Sequence, residues 1–166
     1  TGAAGSGESE RRRFLLERDM VEAIVAMPND FFFNTGIATY IWVITNSKSE
    51  ERRSKVQLIN ANDIFSKMRK SLGSKRKQFT DEQIEQSVAL YEAFEDADPK
   101  LSKVFKNDDF GYTTVTVERP LLDEDGNKVT DRKGNPKPDS SLRDTENIPL
   151  DDDIQAYFER EVLPYA

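Results

Sequence analysis

Three consecutive phenylalanines are the first candidates for chemistry in this chain. Phe31, Phe32 and Phe33 are followed by Asn34-Thr35-Gly36, and three adjacent rings cannot all face one core. The stretch leaves an apolar run, residues 21–27, that ends at Pro28. In an α/β sheet, a loop leaving the carboxyl end of a strand is where ligands tend to bind. Phe31, Phe32, Phe33 and Asn34 therefore form the first candidate site. The second is basic: residues 67–77 (KMRKSLGSKRK) hold Lys67, Arg69, Lys70, Lys75, Arg76 and Lys77 and no acid. Two readings fit that run. One is contact with nucleic-acid phosphates, where each neutralised phosphate releases condensed counterions. The other is a solvated helix end, where the dipole favours cations. The chain carries a net charge of −7, so a cluster of the opposite sign stands out, with Lys75, Arg76 and Lys77 foremost for phosphate contact.

Composition closes off other chemistries. The chain has no His and no Cys, so the commonest general base, thiolate metal sites and disulfides are excluded. The lack of Cys fits a cytoplasmic origin. The overall acidity argues against a protein that coats nucleic acid uniformly. No apolar run approaches the roughly 18 residues that suggest a membrane span, and Glu and Arg crowd the start where a signal peptide would be apolar. Asp123, Asp125 and Asn127 echo the start of a calcium loop, but Lys128 and Gly134 stand where that loop needs Gly and Glu. No metal site is expected. Asp151, Asp152 and Asp153 read as charge favouring a helix start rather than as an acid–base pair. A glycine-rich turn at residues 2–7 lacks the preceding strand and the Lys that would make it a phosphate cradle; it reads as a loop capped by Ser6.

The elements that must position these candidates follow from periodicity. A helix is expected over about residues 8–18, with Phe14, Leu15 and Leu16 inward. Residues 21–27 and 39–45 fit strands buried on both faces of a parallel or mixed sheet. The polar run 47–54 reads as a turn, so a third strand at 56–59 most simply pairs antiparallel with the second. Asn62 is placed to cap a short helix carrying Ile64, Phe65 and Met68, with Gly73 at its exit. Thr80 and Gln83 match a capping box. Ile84, Val88, Tyr91 and Phe94 then recur at helical spacing, a core or partner-facing stripe. Thr and Val alternate over residues 110–118, the mark of a half-buried strand. The polar stretch to about residue 143 carries turn signals at Asp125-Gly126 and at 133–136. Residues 149–164 read as a helix with Ile154, Tyr157, Phe158 and Val162 on one stripe and Pro164 as its stop.

The stretch LLERDMVEAIVAMPNDFFFNTGIATYIWVITN resembles the segment after the catalytic motif in modification subunits of type I restriction-modification systems. The likeness begins at GSGESERRR and continues through KVQLINANDIFSKMRKSLGSKRK, FGYTTVTVERPL and DTENIPLDDDIQAYFEREVLPYA, nearly the whole chain in family order. Those subunits are adenine-specific DNA methyltransferases that use S-adenosylmethionine. The resemblance implies an α/β fold, the terminal strands of a class I S-adenosylmethionine-dependent methyltransferase sheet followed by an α+β tail. Residues 1–62 would belong to the catalytic domain, as helix, strand, aromatic loop and two-strand hairpin. Residues 63–166 would be a tail for subunit docking and DNA contact. The family's glycine-rich cofactor turn is missing, and its Asn-Pro-Pro-Phe is too, since Asn135-Pro136 is followed by Lys137. The resemblance thus implies a carboxyl-side fragment, cut at both ends, without catalytic residues and inactive alone, its S-adenosylmethionine site lying upstream. It also implies DNA and the system's specificity and restriction subunits as partners, and Phe31 to Asn34 as the loop that receives a target base. At least two of the three rings are expected to pack under the sheet. A non-catalytic module that docks a specificity subunit or binds nucleic acid is the alternative.

Overall fold

The computed structural model describes residues 7–165. They form two compact units, divided between Asn107 and Asp108. The Ser6 cap and most of the 2–7 turn lie outside the described residues.

In the first unit, α1 (Gly7–Glu17) leads to β1 (Val21–Met27), β2 (Thr39–Ile44) and β3 (Lys55–Asn60), and later to β6 (Ser102–Lys106). They make one mixed sheet in the order β2-β1-β3-β6. The expected antiparallel pairing of the second and third strands is not made. β2 returns antiparallel along β1, and β3 lies parallel to β1 on its other side. The connection over residues 45–54 crosses to the far side of β1 instead of turning back on itself. β6, unmarked by any clear alternation, closes the sheet antiparallel to β3. β2 is an edge strand, and Tyr40, Ile41, Trp42 and Ile44 are exposed, so it is not buried on both faces.

α2 (Asp81–Ala93) packs on this sheet, and its capping box forms as the sequence predicts. Thr80 Oγ1 accepts from the Gln83 amide at 3.3 Å, and Gln83 Oε1 accepts from the Thr80 amide at 3.0 Å. The predicted stripe divides: Phe94 is buried and Tyr91 half-buried, whereas Ile84 and Val88 are exposed. Leu90, on the buried side, joins Ile59, Ala61 and Ile64 in the core. α1 likewise leaves Phe14 exposed while Leu15 and Leu16 are half-buried.

The polar run 47–54 is more than a turn, because two of its cations are buried. Lys48 Nζ donates to Asp19 Oδ1 at 2.6 Å and to the Lys55 carbonyl at 2.7 Å. Arg52 lies over the Tyr91 and Phe94 rings at 4.3 and 4.2 Å, donates to Gln57 Oε1 at 3.1 Å and stands 3.7 Å from Glu22. Gln57 is fully buried, and its amide donates to the Leu90 carbonyl and Ser102 Oγ. Every polar group of that node has a partner, as burial demands.

The helix expected after Asn62 is replaced by a hairpin, β4 (Ser66–Leu72) and β5 (Lys75–Gln78). Ile64, Phe65 and Met68 mimic helical spacing, but Leu72 pairs with Lys75 across a two-residue loop, Gly73-Ser74. Gly73 has φ +60, the backbone state that the first position of a tight hairpin loop asks for.

In the second unit, β7 (Tyr112–Val117) matches the predicted Thr–Val alternation and pairs antiparallel with β8 (Asp144–Pro149). Between them runs a polar arm with two like turns. Asp123 accepts from the Asp125 and Asn127 amides, and Asp131 from those of Lys133 and Asn135. The helix predicted over 149–164 begins later. Asp153 caps α3 (Ile154–Tyr157), accepting from the Ala156 amide at 2.9 Å. The chain then widens into a π-type turn (Phe158–Val162) and tightens over Leu163–Tyr165, so Pro164 lies inside the last helical turn. Ile154 is exposed and Val162 buried. Among the described residues no helix is long and apolar enough to cross a membrane, and no cluster of three or more Asp and Glu could hold a metal.

Candidate functional site

The aromatic loop and the basic run, far apart in the sequence, meet in the first unit. Residues 28–38 leave the carboxyl end of β1 and turn at Asp30, whose φ is +58. The loop then lies along the outer edge of β5. The Asp30 carbonyl accepts from the amides of Arg76 at 2.8 Å and Lys77 at 3.2 Å, and the Phe33 carbonyl accepts from the Ser74 amide at 2.9 Å. The amides of Ser74, in the hairpin loop, and Arg76, in β5, would otherwise lie unpaired on an open hairpin edge; the aromatic loop covers that edge.

The rings are not packed under the sheet. Phe31 is half-buried, edge-on to Phe79 at 4.7 Å and to Phe32 at 5.5 Å. Phe79 in turn packs against the core, so Phe31 reaches the core through it. Phe32 is 40% exposed and Phe33 60% exposed. The expectation of two buried rings fails because the segment is committed to the hairpin edge. Phe33 instead rests over the Gly73 turn, and Asn34 is exposed beside it.

The six cations divide into two groups. Lys75 and Lys77 are half-buried, with ammonium groups over the rings of Phe31 at 5.4 Å and Phe65 at 4.0 Å. Lys67, Arg69, Lys70 and Arg76 are exposed. Lys67 stands directly opposite Lys77 across the hairpin, a like-charge juxtaposition that costs stability unless an anion answers it. Among the described residues none of the six forms an ion pair with a carboxylate. The arrangement is unsuited to a helix-end role, since no helix is there. It suits a polyanion, with exposed aromatic rings beside it.

The groove formed by the described residues does not fit S-adenosylmethionine. A shallow groove of about 300 Å³ lies near the carboxyl ends of β1 and β3, walled mainly by Ile24, Ala26, Tyr40, Leu58 and Phe105. No carboxylate lines it, and an acidic group is what usually holds a nucleoside ribose in such sheets. The sequence does not reveal the Arg52–Gln57–Glu22 node; Gln57 and Glu22 sit in strand-like runs, but nothing in the polar run marks Arg52 as inward.

A mixed sheet, parallel at its centre and antiparallel at both edges, with α2 packed on it, defines the class as an α/β fold. The solved type I restriction-modification methyltransferase subunit from Streptococcus thermophilus shares it, with a TM-score of 0.53 and 24% identity over 63% of this chain and 20% of that one. The sequence pattern of the N-6 DNA Methylase family matches residues 3–119, and the chain belongs to that family. Two curated relatives come from Methanocaldococcus jannaschii. The MjaIX methylase subunit of a type I restriction enzyme is 31% identical over 93 residues, covering 56% of this chain and 16% of that protein. The MjaVII methylase subunit is 30% identical over 109 residues, covering 63% and 18%. The chain thus spans about a fifth or less of the length of the relatives it matches.

Proposed function

We propose that this chain is a part of the modification subunit of a type I restriction-modification system, an adenine-specific DNA methyltransferase using S-adenosylmethionine. The observation that carries the reading is the aromatic loop joined to an unpaired basic hairpin at the ligand side of the sheet, in a member of the N-6 DNA methylase family. Such an enzyme must extrude its adenine, because the exocyclic amine is buried in the duplex stack. Phe31 to Asn34 would face the extruded base, and the exposed hairpin cations would hold the phosphates flanking it. The cofactor and the catalytic residues would be supplied by the rest of the subunit, so this chain alone transfers no methyl group. A cytoplasmic location follows from that role.

Partners follow the same reading. Residues 1–62 would serve the catalytic domain and 63–166 DNA contact and docking to the specificity and restriction subunits. The separate compact unit at 108–166, with its own hairpin and exposed Leu121, Leu122 and Leu150, supports a docking role for the second half. Truncation near Arg119 should then abolish co-purification with the specificity subunit.

The direct test replaces Phe31, Phe32 and Phe33 singly by Ala in the intact subunit. At least one replacement should cost roughly 1–3 kcal/mol of base stacking, read as reduced methylation and reduced base extrusion. Unchanged methylation and extrusion in all three would end the target-base reading.

A further inference from the structure

We propose that Gly73 is a positioning residue, the bed on which Phe33 lies, so that the phosphate-holding hairpin and the aromatic loop move as one body. This rests on the reading of the loop as the base-facing element. Two observations carry it. A Cβ built on Gly73 would stand 2.7 Å from the Phe33 carbonyl oxygen and 2.9 and 3.0 Å from two of its ring carbons. The next residue, Ser74, donates its amide to that same carbonyl at 2.9 Å. The turn is therefore fitted against the loop as well as folded on itself. Gly126 and Gly134 also have positive φ, but a Cβ on either would meet nothing within 4 Å, so a tight turn in this protein does not by itself need the close approach seen at Gly73. The exposed cations at Lys67, Arg69, Lys70 and Arg76 lie on either side of this turn in β4 and β5. A duplex backbone held there is brought to a set distance from the Phe32 and Phe33 rings.

Two substitutions separate turn geometry from loop seating. Gly73→Ala is strained at positive φ and also carries the clashing Cβ. Gly73→Asn tolerates positive φ but keeps that Cβ. In the 166-residue chain, amide hydrogen exchange at Ser74 and Arg76 should rise about tenfold or more in both variants, while Gly126→Ala leaves it unchanged. Wild-type exchange in Gly73→Asn would overturn the proposal, since the glycine would then serve the turn alone. Phe33→Ala leaves the hairpin sequence untouched and should also speed exchange at Ser74; an unchanged rate there overturns it too. In the intact methylase, methyl transfer to DNA by Gly73→Asn should show kcat down about tenfold with KM for DNA within about twofold, the signature of impaired positioning rather than weakened binding. An unchanged kcat, or a change confined to KM, speaks against the role. If the unsubstituted intact protein transfers no methyl group to DNA, the functional reading falls, while the exchange measurements still decide whether Gly73 seats the loop.

Discussion

The Arg76 amide donates to the Asp30 carbonyl at 2.8 Å, and this bond joins two stretches more than forty positions apart in the chain. One is an apolar loop with exposed rings; the other is a run of cations with no acid. Neither alone distinguishes a nucleic-acid surface from ordinary packing or a solvated face. Joined, they put aromatic faces beside unneutralised charge, the combination by which proteins hold an unstacked base next to its backbone.

The two groups of cations should behave differently on duplex DNA. Gln at Lys67, Arg69, Lys70 or Arg76 should each weaken binding and reduce the slope of log K against log salt by about 0.9 for each phosphate that is no longer neutralised. Gln at Lys75 or Lys77 should change that slope less, because those ammonium groups sit over the Phe31 and Phe65 rings. Fluorescence anisotropy across a salt series measures this. Equal slopes for all six variants would refute the division.

Asp19 should shape the acid limb of stability. Partial burial pushes its carboxyl upward, but hydrogen bonds from Lys48, the Ser54 amide and Asn107, with the Lys48 charge, outweigh that and hold it below its ordinary value of 3.8. A folded-state pKa below the unfolded one adds stability above the unfolded value and loses it as pH falls through the folded one. The loss therefore begins near pH 3.8 and completes below it. Asp19 has φ +55; Asn tolerates that conformation and keeps an acceptor oxygen but removes the charge, so Asp19→Asn should cost about 1–3 kcal/mol near neutrality. Urea unfolding of the two proteins should show that gap closing as pH falls below 3.8. A gap that stays constant with pH would assign the cost to geometry instead.

Arg52 should tolerate neither truncation nor Lys. Its buried guanidinium lies over the Tyr91 and Phe94 rings and serves Gln57, so Arg52→Ala would leave buried Gln57 and half-buried Glu22 short of a partner, at a cost of about 3–5 kcal/mol. Lys lacks the planar fork that stacks and donates at once, so it should recover less than half. Denaturant midpoints would show it; near-wild-type stability of Arg52→Lys would mean that charge alone matters there.

What could be read from the sequence was what local pattern decides. Thr80 and Gln83 announce the α2 cap because both partners lie within one turn, and the Thr–Val alternation of β7 is a two-residue period that no helix shares. The aromatic loop and the basic run were visible as compositions. Their union was not, because it depends on backbone bonds between Asp30 and Arg76 and between Phe33 and Ser74, which leave no trace in residue type. β4 read as a helix because Ile64, Phe65 and Met68 fit a helical face as well as a strand, and Gly73 fits a helix exit as well as a hairpin loop. The parallel partner of β1 is not legible in the sequence, since a ten-residue connection can turn back or cross over with the same polar residues. Lys48 and Arg52 read as solvated, as cations in a polar run usually are; acceptors from Asp19, Lys55, Gln57 and the Tyr91 carbonyl, with Glu22 beside Arg52, offset the cost of their burial.

The cofactor question is decided most directly by calorimetric titration of S-adenosylmethionine into the 166-residue chain. The cofactor needs a glycine-rich turn after a strand for its approach and a carboxylate for its ribose. In the described residues the groove beside β1 and β3 is lined by Ile24, Tyr40, Leu58 and Phe105 and offers no carboxylate, while the loop beyond β1 is engaged with the hairpin. The expected result is no saturable heat. Saturable one-to-one binding would mean that a cofactor site is made within this chain, and the glycine-rich stretch at residues 2–7 would be the first place to substitute. Loss of that heat on replacing Gly5 and Gly7 by Ala would then locate the site, and the assignment of S-adenosylmethionine to the rest of the subunit would have to be given up.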